Sequence, residues 1–311
     1  MIKKIYLAKP RGFCAGVKRA VEIVNRVLQK YGTPLYVKHQ IVHNRQVVAD
    51  FEKRGVIFIE DLQEVPDGSV IIFSAHGSPP SVYQEAKKKN LRFFDACCPL
   101  VTKVHLEAKK YANNDYFIFY IGHKKHPEAV GVLAEVSPDS IVLIETVVEA
   151  QKVNPPQTEK LIILSQTTLS LDDTSNITNL LKKRFPRVIQ PPASDICFST
   201  QNRQIAVKKL AEKVDLILVI GSPESSNSQR LREVAEKEGV KTYLVDQVSE
   251  IKPEWLVGSK ILGITAGASV PDQLINRVVN YFKKPGVSLV ELEAVHENIS
   301  FPLPKEVYES A

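Results

Sequence analysis

An α/β fold with mostly parallel sheets is what the sequence predicts, because short β-rich runs alternate with amphipathic helical patterns along its whole length. Its 311 residues exceed what one compact core holds, which points to two or three domains. A third observation divides the chain further: one kind of cysteine environment recurs three times.

Taken in order, "KIYLAK" at 4–9 reads as a strand and gives way to "PRGFCAGVKRAVEIV", where Cys14 stands between two glycines at the start of a helical pattern. That helix, "VKRAVEIVNRVLQKYG", ends on a Gly stop, as does "SQRLREVAEKEG" at 228–239. Between and after them, "VIIF" (70–73), "YFIFYIG" (116–122), "KLIILS" (160–165), "DLILVIG" (215–221) and "KILGIT" (260–265) are too short for helices and too apolar for exposed edges. The Pro-containing "VNPPQTEK" (153–160) and "QPPASD" (190–195) are the expected seams.

Composition narrows the function classes. With 44% hydrophobic and 24% charged residues the chain is an ordinary globular protein. It lacks the roughly 18 uninterrupted apolar residues of a membrane span and the layout of a signal peptide, so a cytoplasmic protein with no membrane partner is expected. The four cysteines are few and scattered, which predicts reduced thiols rather than a disulfide framework. A net charge of +6, spread over many helices, favours an anionic small molecule or an acidic partner and points to no nucleic acid.

Cys14, Cys98 and Cys197 each precede a basic helical pattern. A helix start leaves unpaired N–H groups and a partial positive charge, both of which favour thiolate over thiol, so all three positions suit metal ligation. Polar loops follow at repeated spacings: His43 lies 29 residues after Cys14, while His126 and Ser225 lie 28 residues after Cys98 and Cys197. A second polar loop follows in each repeat, at His76, Thr167 and Ser269. Such self-similarity implies a pseudo-threefold protein with its active site on the common axis.

Each residue alone has a plainer role. A lone buried cysteine is usually a small hydrophobe, His43 and His76 could be hydrogen-bonded structural histidines, Glu128 a surface charge, and the Ser-Asn run at 225–228 a helix N-cap. Their shared placement at strand ends, where open α/β sheets bind ligands, lifts them together. Three cysteines leave one iron of a [4Fe–4S] cluster without a thiolate, and an open iron with histidines, a carboxylate and hydroxyl-rich loops around it suits reductive chemistry on a small phosphorylated alcohol. A phosphosugar-binding isomerase is the alternative prompted by "GSPESSNS", and a non-catalytic module for an acidic partner another, but both leave the cysteine repeat unexplained. A zinc hydrolase built on the histidines is weaker still, since no close-spaced ligand pair is present.

The segments "PRGFCAGVKRA", "IVHN", "FSAHG", "DACCPLVTKVH", "GHKKHPE", "SQTTLS", "DICFSTQNRQ", "GSPESSNSQRL" and "TAGASVPD" closely resemble the 4-hydroxy-3-methylbut-2-enyl diphosphate reductases, from about residue 5 to "ENISFPLPKE". The resemblance implies a cloverleaf of three α/β domains around a central iron–sulfur cluster, here 14–96, 97–194 and 195–284, with an N-terminal strand at 1–13 and a C-terminal tail at 285–311 closing over the site. It implies a [4Fe–4S] cluster held by Cys14, Cys98 and Cys197 and open to substrate. It places His43, His76 and His126 around the diphosphate and the hydroxyl, and Ser225, Ser226, Asn227 and Ser269 in a polar clamp. Glu128 would deliver protons, and Thr167 would position the substrate and relay them. The products implied are isopentenyl and dimethylallyl diphosphate, at the last step of the methylerythritol phosphate route. No G-x-G-x-x-G loop is present, so electrons should come from a separate carrier, which the resemblance implies is ferredoxin or flavodoxin, and a monomer is expected. Cys97 is a departure, standing where the family commonly has a small hydroxyl residue. Ligation is assigned to Cys98 because it directly precedes the Pro99 helix start.

Overall fold

In the computed structural model, which describes residues 2–156 and 159–308, strands and helices alternate as expected. The chain runs through β1 (Lys4–Lys9), α1 (Ala15–Tyr31), β2 (Leu35–Lys38), α2 (Arg45–Glu52), β3 (Val56–Ile59), β4 (Val70–Phe73), α3 (Pro80–Lys88) and β5 (Arg92–Asp95). It continues with α4 (Pro99–Ala112), β6 (Phe117–Ile121), α5 (Pro127–Leu133), β7 (Ile141–Ile144), α6 (Val147–Lys152), β8 (Leu161–Ser165) and α7 (Leu171–Arg184). The last part holds α8 (Phe198–Ala211), β9 (Leu216–Ile220), α9 (Ser226–Lys237), β10 (Lys241–Val245), β11 (Ile261–Ala266), α10 (Asp272–Phe282) and β12 (Ser288–Glu293). Of the seam expected at 153–160, residues 157 and 158 lie outside the described residues. No described helix is long and apolar enough to cross a membrane.

Strand pairing is parallel throughout the three sheets, whose orders are β3-β2-β4-β5, β7-β6-β8 and β10-β9-β11-β1-β12. The second sheet gains a fourth position where Ile189 bridges Ile162 in parallel. All three therefore share one order, second-first-third-fourth, and the residue run in fourth place leads in each case to a cysteine: β5 to Cys98, Ile189 to Cys197, β1 to Cys14. The repeat seen in the sequence is thus a repeat of topology.

The chain groups into two compact units. One takes in Met1–Lys18, Val42–Asp50 and Phe198–Ser300 and holds the five-stranded sheet. Alternate residues of its strands face opposite layers, as the period of two requires. Ile5, Leu7, Leu218 and Ile264 pack with Leu274, Ile275 and Val278 of α10, while Ala8, Ile217 and Val219 pack with Val207 and Leu210 of α8 and Leu231 and Val234 of α9. The other unit takes in Arg19–Ile41, Phe51–Cys197 and Phe301–Ala311 and holds the remaining two sheets. There Phe117, Phe119 and Ile121 face Ile177 and Leu181 of α7, and Ile118 and Tyr120 face Val104 and Ala108 of α4.

The Gly stops behave as read: Gly32 (φ 70°) and Gly239 (φ 80°) take the left-handed conformation just past α1 and α9. Helix α8 departs from the amphipathic pattern, because it buries Thr200, Arg203 and Gln204 along with Ala206, Val207 and Leu210. Close approach also explains Gly267. A Cβ there would collide with Ser228 Oγ on α9, and one on Gly221 would meet the same hydroxyl. Gly267→Ala should lower stability to denaturant by about 1–3 kcal/mol through overpacking, and Ser228→Gly added to it should restore part of the loss. Unchanged unfolding in the single variant would mean the helix yields without strain.

Candidate functional site

The strand ends fix where the polar residues stand. His43, His126 and Ser225 each lie five residues past a strand, after Lys38, Ile121 and Ile220 respectively. His126 and Ser225 are the N-caps of α5 and α9: His126 Nδ1 accepts the Glu128 N–H at 3.2 Å, and Ser225 Oγ accepts the Ser228 N–H at 3.3 Å. At α2 the equivalent cap is Asn44, whose Oδ1 accepts the Val47 N–H at 3.0 Å. Capping is therefore one role of these positions, as the plainer sequence reading had it for Ser225.

The second set of loops is tied to the cysteines. Cys98 N–H donates to Ala75 O at 3.0 Å, Cys197 N–H to Thr167 O at 3.1 Å, and Cys14 N–H to Ala268 O at 3.0 Å. Each acceptor lies two residues past the third strand of its sheet. This register aligns Thr167 with Ala75 and Ala268, one residue earlier than the spacing had it beside His76 and Ser269.

Within the first unit these ties gather Cys14, His43, Asn227 and Ser269. Asn227 Oδ1 accepts the Ala268 N–H at 2.9 Å, its Nδ2 donates to Thr200 Oγ1 at 3.4 Å, and Ser269 Oγ donates to His43 O at 2.8 Å. Ser225 and Ser226 stand at the start of α9, which has no acidic residue in its first turn. The loop carrying Cys14 is held from behind by Arg203, whose side chain is 1% exposed. Its Nη2 donates to Gly12 O at 2.8 Å, and its Nη1 to Ser199 O at 2.9 Å and to the Glu297 carboxylate at 3.2 Å. A buried cation of this kind is tolerable only when paired, and both Nη atoms are, while Nε is buried without a hydrogen-bond partner.

Within the second unit Glu128 is 1% exposed and its two oxygens accept from Thr167, Oε1 from the N–H at 2.7 Å and Oε2 from Oγ1 at 2.9 Å. His126 lies two residues away, and its ring sits edge-on to His76 with centroids 5.9 Å apart. His76 meets His39 in the same way at 5.9 Å. Sequence reasoning missed His39, although it stands in the same strand-end loop as His43. It also missed Gln166, buried inside "SQTTLS", whose Oε1 accepts the His123 N–H at 3.0 Å and whose Nε2 donates to Thr168 at 2.9 Å.

The thiols fit an iron–sulfur cluster. None of the four cysteines is in a disulfide, and Cys14, Cys98 and Cys197 are half-buried. Helices α1, α4 and α8, which they precede, have no acidic residue in the first turn to oppose a thiolate. The Val17 N–H already points at Cys14 Sγ from 3.5 Å. Cys97 is a different kind of group. It is buried, burial and then Asp95 push its thiol upward, Thr102 Oγ1 donates to its sulfur at 3.4 Å, and its own S–H donates to Cys98 O at 3.7 Å.

Burial pushes the Glu128 carboxyl up to about 7 from 4.5, against the pull of its two Thr167 hydrogen bonds. The folded chain then holds this proton more tightly than the unfolded chain. The contribution to stability is complete below about pH 4.5 and is lost as pH rises through about 7, amounting to about 3 kcal/mol. Glu128→Gln keeps the shape and both partners, so the variant should unfold at higher denaturant than the parent at pH 8 and match it near pH 4.5. Parallel pH profiles would show that Glu128 is ionised in the folded protein well below neutrality.

Comparison with known proteins supplies the family and the fold. A family model described as LytB protein matches residues 5–283. The chain is 50% identical over 306 residues to 4-hydroxy-3-methylbut-2-enyl diphosphate reductase of Aromatoleum aromaticum, covering 98% of each protein. It is 49% identical over 303 residues to 4-hydroxy-3-methylbut-2-enyl diphosphate reductase 2 of Burkholderia mallei, covering 97% of this chain and 93% of that one. Among solved structures, the E-1-hydroxy-2-methyl-but-2-enyl-4-diphosphate reductase from Plasmodium falciparum matches with a TM-score of 0.96 at 40% identity, covering 99% of this chain and 98% of that one. With the family model spanning most of the sequence and relatives about half identical along nearly all of it, the chain belongs to the LytB protein family.

Proposed function

We propose that this chain is a reductase that removes the hydroxyl of (E)-4-hydroxy-3-methylbut-2-enyl diphosphate, giving isopentenyl and dimethylallyl diphosphate at the last step of the methylerythritol phosphate route. The observation that carries the reading is Glu128, a carboxyl buried beside the Thr167 hydroxyl and held near neutrality, in a family whose matched relatives are named as reductases of this diphosphate. In the net reaction the C–O bond breaks and a C–H bond forms: the alcohol, two electrons and two protons give the hydrocarbon chain and water.

Cys14, Cys98 and Cys197 would hold a [4Fe–4S] cluster with one iron open to substrate. When bound, that cluster supplies the electrons and a Lewis-acidic iron for the hydroxyl oxygen. The electrons would arrive from a reduced ferredoxin or flavodoxin. The Thr167 hydroxyl donates to Glu128 Oε2 at 2.9 Å; once Glu128 is protonated the bond would reverse, Glu128 donating to Thr167 Oγ1 while the Thr167 O–H turns to the departing oxygen, so that water rather than hydroxide leaves. His126, capping the helix that carries Glu128, stands beside that proton path and can hydrogen-bond the hydroxyl.

His43, His76, Ser225, Ser226, Asn227 and Ser269 would bind the diphosphate. Imidazole N–H groups, hydroxyl donors and the N-terminus of the twelve-residue α9 supply the hydrogen bonds and positive potential that several phosphate charges require. A five-carbon tail offers little to hold, so anchoring at the diphosphate sets the orientation of the reacting carbon. The shared strand order of the three sheets supports a division into domains at 14–96, 97–194 and 195–284, flanked by the segments 1–13 and 285–311.

Anaerobic iron and sulfide analysis, joined to a reduction assay on the allylic diphosphate, tests the reading; protein without iron and without turnover would sink it. Glu128→Gln should keep its iron and lose turnover by about a hundredfold or more, the contribution of a positioned proton donor. Near-parental turnover with iron intact would remove Glu128 from the role. Cys97→Ser should keep iron and activity, and Cys98→Ser should lose both; the opposite result would move the ligand to Cys97.

A further inference from the structure

We propose that His105 is a positioning residue for this site, an imidazole wedge that sets both the loop carrying His76 and the helix carrying Glu128. The inference rests on the reductase reading for its consequence but not for its geometry. His105 lies on α4, seven residues and two turns beyond Cys98, and is 7% exposed. Its Nδ1 donates to Glu135 Oε1 at 2.7 Å, and the other Glu135 oxygen pairs with Lys109 Nζ at 2.6 Å. Both side chains of the His105–Glu135 pair are less than a tenth exposed, so the ring is locked in one orientation.

The far edge of the ring lies against two glycines from different elements. A Cβ on Gly77 would come within 2.8 Å of His105 Nε2, and a Cβ on Gly131 within 2.9 Å of His105 Cε1. The imidazole thus occupies the space that two side chains would need. Gly77 directly follows His76 in the loop after β4, and Gly131 stands on α5 three residues after Glu128. Because interiors are close-packed, moving the ring moves what leans on it. The edge-on contact of His76 with His126 spans the two elements that meet on this one side chain, and the contact of Glu128 with Thr167 depends on the placement of one of them, α5. An apolar residue could fill the volume, but it would lack the carboxylate partner that fixes the ring. Gln or Asn could keep a donor, but neither reaches both glycines with a rigid planar edge.

The test uses the anaerobically purified holoprotein. His105→Asn retains a donor for Glu135, and His105→Ala leaves a space continuous with a cavity of about 380 Å³ lined by Gly77, Tyr83, His105, Lys109 and Glu135, into which free imidazole can diffuse. With parental iron content and thermal midpoint, His105→Asn should lose about ten- to a hundredfold in kcat, the cost of misplacing reacting groups by a fraction of an ångström. Added imidazole should restore part of the turnover of His105→Ala but none of that of Glu128→Gln. A crystal structure of His105→Ala should show the Gly77 loop or α5 displaced into the vacated space. Parental kcat and KM in both variants, or loss of iron and fold without rescue, would overturn the proposal. If the parent protein itself reduces no allylic diphosphate, the functional reading fails separately. The crystal structure then still decides the wedge, and unmoved Gly77 and α5 would end it.

Discussion

Three backbone hydrogen bonds organise the chemistry of this chain. In each, the N–H of a cysteine at a helix start donates to a carbonyl two residues beyond the third strand of a sheet. A helix begins where a strand loop ends, and the bond stitches the two together. The cysteine is thereby placed beside the polar residues of that loop through its backbone. Since a backbone bond is indifferent to residue type, the loops were free to diverge. Around the shared tie, one offers His76, one Thr167, and one Ser269 with Asn227 reaching back to the same loop. A repeated scaffold thus supports unequal chemistry.

Charge follows the same division. The helices after Cys14, Cys98 and Cys197 begin without acidic residues, so their amide dipoles stay available to negative sulfur, and α9 begins likewise beside Ser225 and Ser226. Glu128 is acidic but buried, and burial withholds its charge; Asp195, two residues before Cys197, is raised by burial in the same way. A neutral carboxyl adds no repulsion to neighbouring anionic groups while it holds its proton, and a carboxylate would. The same desolvation that costs stability at high pH therefore holds a proton on this carboxyl near neutral pH. Thr167 moderates both effects by hydrogen-bonding the charged form.

Much of this was legible in the sequence because it is periodic. Apolar runs marked β1, β4, β6, β8, β9 and β11, and the glycines after α1 and α9 marked two helix ends. Strands β2, β3, β5, β7 and β10 were not; a run of four or five residues shows too little of a period of two to stand out from a loop, and β4, no longer, was picked out by its wholly apolar VIIF. Edge strand β12 is exposed and polar enough to pass for a tail. At the site, residues recurring at fixed spacing were found, and those whose role is packing were not. His39, Gln166 and the Arg203–Glu297 pair have no repeat partner to draw attention to them. Helix α8 concealed Arg203 further, because its buried polar residues erase the amphipathic signal that would have shown which face turned inward.

The contrast between Cys97 and Cys98 shows how little sequence separates a ligand candidate from a core residue. The two are adjacent, yet only Cys98 stands at the cap of α4, where its sulfur leads the helix. Cys97 is turned inward, its S–H given to the Cys98 carbonyl and its sulfur accepting from Thr102 one turn further along α4. Both hydrogen bonds suit a thiol. Buried beside Asp95, the sulfur would have to carry its negative charge next to another, which is why its proton is held so firmly. A small hydroxyl in that place would make the same donor and acceptor contacts, so what the position requires is a compact group with one proton to give, and sulfur meets that need without becoming a nucleophile.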